Sequence, residues 1–297
     1  MKSSLLQKRG QKAYIYILPW LIGLLALQVY PFVSSFFYSF TDYNAFGKMN
    51  FVGFANYIKL FTKDAEFYKS LGVTLKYTLL TVPGKIIFSL IIALFLNRER
   101  KGIGILRTIF YLPSLFGGSI AVVILWKLMF MDNGLINSIM SVFGLGGISW
   151  LGDPKVALFT LSTMEMWQFG SSMVMFLAAL KQVPKSLYEA AGIDGANKVQ
   201  AFFKVTFPQI TPILFFTIIM QTINALQNFT SAFVITKGGP VKSTYMLGMK
   251  LYNDGFAYHK MGYASASSWI IFTLILVITL TLFGTQKYWV FYEDESK

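Results

Sequence analysis

Six runs of this sequence, roughly 13–38, 73–96, 108–130, 156–180, 208–233 and 265–283, are apolar over about the 20 residues that a helix needs to cross a bilayer. Hydrocarbon offers the backbone no hydrogen-bond partners, so such runs fold as helices that satisfy their own amides. The expected fold class is therefore an all-α membrane protein with six transmembrane helices. Composition agrees, with 55% hydrophobic and 17% aromatic residues against 13% charged. A net charge of +13 would suggest a nucleic-acid partner in a soluble domain. Here the basic residues gather between the apolar runs, where the positive-inside rule accounts for them and no nucleic acid is needed. Cysteine is absent and His259 is the single histidine. That leaves no disulfide framework and no thiolate nucleophile, and no metal site is expected.

Six crossings place both termini on one side. The tail 1–12, the 97–107 loop, the 181–204 segment and the end of the chain carry 14 lysines and arginines. The alternate, longer loops carry nine. The density difference puts both termini in the cytoplasm, with the chain multi-pass in the membrane. The first run is too long for a signal-peptide core, so it is expected to be retained as a span.

One polar, helix-forming stretch between the fourth and fifth runs, residues 184–208, must sit in water at a membrane face. Pro184 suits a helix start. Gly192 and Gly195 bracket a break, Asp194 is placed to cap the second of two short helices, and Pro208 is expected to open the next span. Val199, Phe202, Phe203 and Val205 give that second helix an apolar face, suited to the undersides of the spans. Within the stretch, Glu189-Ala190-Ala191, three residues, Gly195, nine residues, then Val205, Phe207 and Pro208 keep a fixed spacing. This pattern resembles the EAA loop of ABC importer permeases, with Val for Ile and Phe for Leu at two apolar positions.

Other segments carry the same resemblance, to the carbohydrate branch of that family. They are LPWLIGLLALQVYPFVSSFFYSFTDYN with FVGFANY, the Leu112-Pro113 opening of the third run, GLIN with WLGDP, and Gly238-Gly239-Pro240 followed by Thr244. The resemblance covers residues 18 to about 285. It implies a type I importer permease fold with 1–71 as tail, first helix and extracytoplasmic loop. Residues 72–287 would be the transmembrane core and 288–297 a cytoplasmic tail. It further implies that the chain is not an enzyme and holds no cofactor, ATP and Mg²⁺ belonging to a dimer of separate ATPase subunits. A second homologous permease, an extracytoplasmic solute-binding protein and a sugar substrate are the remaining partners implied, in a setting of membrane lipid. Glu189, Ala190, Ala191, Asp194, Gly195 and Pro208 are the residues expected to serve coupling to the ATPase.

Polar residues inside the runs mark a pathway. Glu165, Gln168, Ser171 and Ser172 lie on the fourth, with 165, 168 and 172 on one face if the helix is continuous. Gln221, Asn224, Gln227 and Asn228 lie on the fifth, with 221, 224 and 228 sharing a face. Lys85 follows Pro83-Gly84, where a kink would expose it to a cavity. Alignment on the EAA-like motif carries the substrate contacts of maltose-type relatives to Met164, Gln168, Ser171, Asn224 and Asn228. Amides can equally be helix-to-helix glue, and Lys85 can simply bind backbone carbonyls. Alternatives stay open at this point: an ion-coupled secondary transporter built on Lys85 and Glu165, and an ABC permease for a non-sugar or anionic-sugar solute. An integral-membrane enzyme ranks last, because paired carboxylates and metal clusters are missing from the spans. Lys242-Ser243-Thr244 is no phosphate loop, since neither a preceding glycine nor a strand sets it up.

Overall fold

The chain's long apolar runs fold as helices in a computed structural model that describes residues 16–47, 49–98 and 101–292. The basic tail with Lys2, Lys8, Arg9 and Lys12, together with Lys48, Arg100 and the terminal Glu293, Asp294, Glu295 and Lys297, lies outside the described residues. Numbered in chain order, the helices are α1 (Tyr16–Ser39), α2 (Ala55–Lys63), α3 (Ala65–Leu96), α4 (Ile103–Leu115), α5 (Ile120–Met129) and α6 (Leu135–Val142). Then come α7 (Ala157–Trp167), α8 (Gly170–Gln182), α9 (Lys185–Ile193), α10 (Lys198–Leu226), α11 (Leu247–Tyr252) and α12 (Met261–Trp289). Among the described residues no strand forms beyond a single bridge between Thr41 and Phe51.

Four helices, α1, α3, α10 and α12, are each long and apolar enough to cross a membrane. The third expected span is instead a pair, α4 and α5, bent by 99°. The Gly117-Gly118 pair accounts for the bend, since Gly118 adopts φ +79°, which an α-helix cannot hold. The fourth expected span also breaks, between α7 and α8. The fifth begins at Lys198, ten residues before Pro208, and stops at Leu226 rather than at 233. Pro208 therefore does not open it. A widened turn over Phe202–Thr206, closed by the Phe207 amide on the Phe202 carbonyl, carries the helix past the proline.

The chain divides into two compact units. The smaller comprises residues 1–64 and 251–272. In it the first turns of α12 meet α1 through Trp269, whose ring lies 4.8 Å from those of both Phe32 and Phe36. The Trp269 indole N–H donates to Ser35 Oγ at 3.2 Å. Asn56 ties α2 back to the carbonyls of Ser39 and Thr41 at 2.9 and 2.8 Å. In the loop between α1 and α2, amide donors from Asn50 hold the Asp42 carboxyl below its ordinary pKa. None of the residues in the apolar window of α1, of mean hydropathy 1.7, is buried. Such a surface needs lipid or another subunit to cover it.

The larger unit comprises residues 65–250 and 273–297, and it is built around α3. This helix packs against α7, α8 and α10. Tyr77, Phe176, Leu161, Met173, Ile210 and Leu226 are fully or almost fully buried there. The hydroxyls of Thr74, Thr78 and Ser89 fold back onto carbonyls one turn earlier in α3, at 2.6–2.9 Å. These three buried hydroxyls can thus pack against neighbouring helices with their donors satisfied. The second half of α12 joins through Phe283 against Phe215, and the Phe291 amide donates to Thr211 Oγ1 at 2.9 Å.

Candidate functional site

Residues 184–208 form two helices with a sharply defined joint. Pro184 is extended, at φ −61° and ψ 133°, and sits just before α9 rather than in its first turn. α9 ends with Asp194 as its last half-helical residue, followed by Gly195 at φ +76°. The Gly195 amide donates to Gly192 O at 3.1 Å and the Ala196 amide to Ala191 O at 2.9 Å. These are the two bonds of a Schellman stop, which needs a left-handed residue that glycine alone adopts freely. Asp194 does not cap the following helix. Asn197 does, its Oδ1 accepting from the amides of Val199 and Gln200 at 3.0 and 2.9 Å while Gln200 Oε1 accepts from the Asn197 amide at 2.9 Å. This reciprocal capping box satisfies otherwise orphaned donors at the start of α10. Asn197 carried a sequence signal, Asn followed three residues later by Gln, that the Glu-Ala-Ala spacing overshadowed.

The loop is braced from inside. Tyr188 on α9 hydrogen-bonds Thr206 on α10 through their hydroxyls at 2.8 Å. Ala190 and Ala191 line a crevice of about 410 Å³ between the two helices, with Asp194, Gly195 and Lys204 among its other walls. Glu189 and Ile193 point outward, Ile193 at 88% exposure. Glu189 makes no hydrogen bond or ion pair among the described residues. Of the apolar face expected to pack under the spans, Val199 and Phe203 are exposed and Phe202 and Val205 are half-buried. Half of that face is therefore unspent.

Above the loop, the break between α7 and α8 falls at Gln168 and Phe169. Ser114 Oγ, from a neighbouring helix, takes up the freed Gln168 carbonyl at 3.2 Å. The Phe169 carbonyl accepts the Met173 amide at 2.9 Å, and Ser89 Oγ, whose proton goes to the Lys85 carbonyl, lies 3.2 Å from it. Ser114 also accepts from the Ser171 amide at 3.0 Å. Gly170 is required by close approach, because a Cβ there would stand 2.8 Å from the Tyr111 Cα. Since the helix is interrupted, Glu165, Gln168 and Ser172 do not share a continuous face. Gln168 and Ser172 are buried, Met164 is buried, and Ser171 is exposed. Ser89, Ser114 and Gly170 carried no sequence signal, since serine and glycine have many uses in a span.

The polar residues of the fifth run separate in the same way. Gln221 donates to Ser172 Oγ at 3.1 Å, a buried link from α10 to α8. Asn228 lies beyond α10. Its amide donates to the hydroxyl of the fully buried Tyr77 at 3.0 Å and its carbonyl accepts from Ser231 at 2.6 Å. Asn224 and Gln227 are exposed. Lys85, rather than opening to a cavity at a kink, sits inside an unbroken α3 with its Nζ 2.6 Å from Glu165 Oε1. Side-chain exposures of 6% and 20% make this a buried pair linking α3 to α7. Among the described residues, no group of three or more His, Asp or Glu side chains is arranged to hold a metal ion.

Comparisons with known proteins place this architecture. Residues 75–289 match the family described as binding-protein-dependent transport system inner membrane component. The chain is 45% identical over its full length to a probable ABC transporter permease, YesP, of Bacillus subtilis, and covers 97% of it. It is 33% identical to the trehalose/maltose transport permease MalF of Thermococcus litoralis, covering 95% of each chain. It is 32% identical to the arabinooligosaccharide transport permease AraP of Bacillus subtilis, over 90% of this chain and 86% of that one. In fold it matches a chain of a bacterial alginate ABC transporter, solved with an alginate pentasaccharide-bound periplasmic protein. The TM-score is 0.82 at 23% identity, over 94% of this chain and 95% of that one. The chain is a multi-pass membrane protein and belongs to the binding-protein-dependent transport system inner membrane component family, the permeases of ABC transporters.

Proposed function

We propose that this chain is one transmembrane half of an ATP-driven, binding-protein-dependent carbohydrate importer, and that α9 is its coupling helix. In this reading α1, α3, the bent pair α4–α5, the broken pair α7–α8, α10 and α12 make six crossings. Both termini and the 184–208 loop face the cytoplasm. The carrying observation is the loop itself: an exposed helix with a free carboxylate at Glu189, locked by a Schellman stop, a capping box and the Tyr188–Thr206 bond. A segment that had only to link two spans needs none of these. An element that transmits motion from a separate ATPase dimer does. ATP and Mg²⁺ belong to that partner, and a second permease completes the pathway. The carbohydrate class follows from relatives named for trehalose, maltose and arabinooligosaccharides.

For the pathway, the exposed Asn224 and Gln227 are the amides left over once Gln221 and Asn228 have bonded within the chain. Ser171 is exposed on the neighbouring helix α8. These three are the sugar-facing candidates, with Met164, Gln168 and Ser172 behind them as support. Lys85 is neutralised by Glu165, so it brings no net positive charge for an anionic sugar. Alternating access of a neutral solute suits such a charge-poor midplane.

The test is reconstitution with the ATPase, the second permease and the binding protein. Glu189→Ala removes an exposed carboxylate without a partner among the described residues, so its unfolding temperature in detergent should match wild type. Binding-protein-stimulated ATP hydrolysis and uptake should both fall, about tenfold or more if Glu189 meets a basic partner. Normal uptake by that variant would overturn the coupling reading. Asn224→Ala and Gln227→Ala should raise the sugar concentration for half-maximal uptake and leave assembly intact.

A further inference from the structure

Where α3 ends, α4 begins and α8 runs into α9, the larger unit holds an open cavity of about 820 Å³. Arg98, Lys101, Arg107, Lys181 and Lys185 line it, and no described carboxylate does. In sequence, the segments 97–107 and 181–185 hold six basic residues and one carboxylate, of which Arg100 and the carboxylate, Glu99, lie outside the described residues. A merely solvated basic face would spread such charges apart. Here they converge on one concavity whose floor is apolar, formed by Ile103, Leu180 and Val183.

Arg107 makes the cavity more than a patch. One terminal nitrogen, Nη2, donates to the Leu96 carbonyl at 2.9 Å, closing the last turn of α3. Its Nε is buried and has no hydrogen-bond partner among the described residues. Arg107 is thus held in the cavity wall by one arm, a fixed planar cation of the kind that recognises phosphate oxygens.

We propose that this cavity binds the phosphodiester headgroup of an anionic phospholipid. The cavity lies at the mouth of a membrane-spanning helix, where a headgroup arrives without leaving its leaflet. The mixture of converging cations and apolar floor suits a phosphate with its glycerol and first methylenes. Tyr188, the residue that ties α9 to α10, is also part of the wall. A bound headgroup would therefore stiffen the root of α9. The inference rests on α3 spanning the membrane, and it stands whether or not α9 meets an ATPase.

The test uses the purified full chain, exposed to equal amounts of phosphatidylglycerol and phosphatidylcholine and examined by native mass spectrometry. Wild type should retain phosphatidylglycerol in preference. Lys101→Gln with Lys181→Gln removes two wall charges that make no hydrogen bond or ion pair among the described residues, so the fold should survive. The phosphatidylglycerol preference should fall about fivefold for each charge removed. Lys198→Gln with Lys287→Gln removes the same charge away from the cavity and should leave the preference unchanged. Equal retention of both lipids by wild type would overturn the proposal. An equal loss in the control variant would also overturn it, since that outcome reports overall charge. Thermal protection by inorganic phosphate alone, without a phosphatidylglycerol preference, would assign the cavity to a soluble anion and overturn the lipid reading.

Discussion

Lys85 and Glu165 show how a single pair can change meaning once its geometry is known. Each residue alone in a span reads as a functional charge, and together they read as an ion site. At 2.6 Å with little exposure they become a crosslink between α3 and α7. Removing one partner leaves the other buried and uncompensated, whereas removing both does not. Glu165→Gln is therefore expected to lower stability by about 3 kcal/mol, and Lys85→Met with Glu165→Leu by markedly less. Thermal unfolding in detergent compares the two. If the single variant is the milder one, the pair does not hold the helices together. Gly195 makes the opposite case, since the helix break it forms was legible from the glycine itself. Gly195→Ala has room for the added Cβ but must hold φ +76°, which costs about 1–2 kcal/mol.

At the scale of elements, helix identity was legible and helix continuity was not. Hydropathy over a window finds α1, α3, α10 and α12, because their apolar runs exceed the bilayer's thickness whatever their neighbours do. The same window cannot see that α4 and α5 diverge by 99°, or that α7 stops at Trp167. The second break depends on a partner distant in sequence, Ser114, which satisfies the Gln168 carbonyl that the break releases. Proline misled in the other direction. Pro208 reads as a start, yet a widened turn upstream lets the helix run through it. The true start at Asn197 is local chemistry and can be checked alone. Asn197→Ala should cost about 1 kcal/mol by loss of the cap. Hydrogen exchange at the amides of Val199 and Gln200 should quicken while exchange in the middle of α10 stays slow. Unchanged protection at those two amides would show that the cap carries no weight.

For the whole molecule, the apolar surface of α1 and the unspent face of Val199 and Phe203 describe a chain made for company. Family membership was legible because the Glu-Ala-Ala to Pro208 spacing and the run of sugar-branch segments extend through most of the chain. The polar positions were legible and their partners were not. Sequence pointed to eight polar positions on two runs, and the structure spends Gln221, Ser172 and Asn228 on internal bonds, leaving Ser171, Asn224 and Gln227 outward. Amides that glue and amides that face a solute look alike until their partners are known. Cysteine is absent, so a single introduced cysteine reports cleanly on placement. Ile193→Cys should crosslink to a co-expressed ATPase subunit and react with a membrane-impermeant thiol reagent only after the cytoplasmic face is opened. Labelling of intact cells at that position would reverse the orientation.

The joint between α9 and α10 is fixed by bonds that belong to the chain itself: the stop at Gly195, the box at Asn197 and the strut from Tyr188 to Thr206. An elbow set in advance has no play to take up. Whatever displaces α9 must swing the foot of α10 with it.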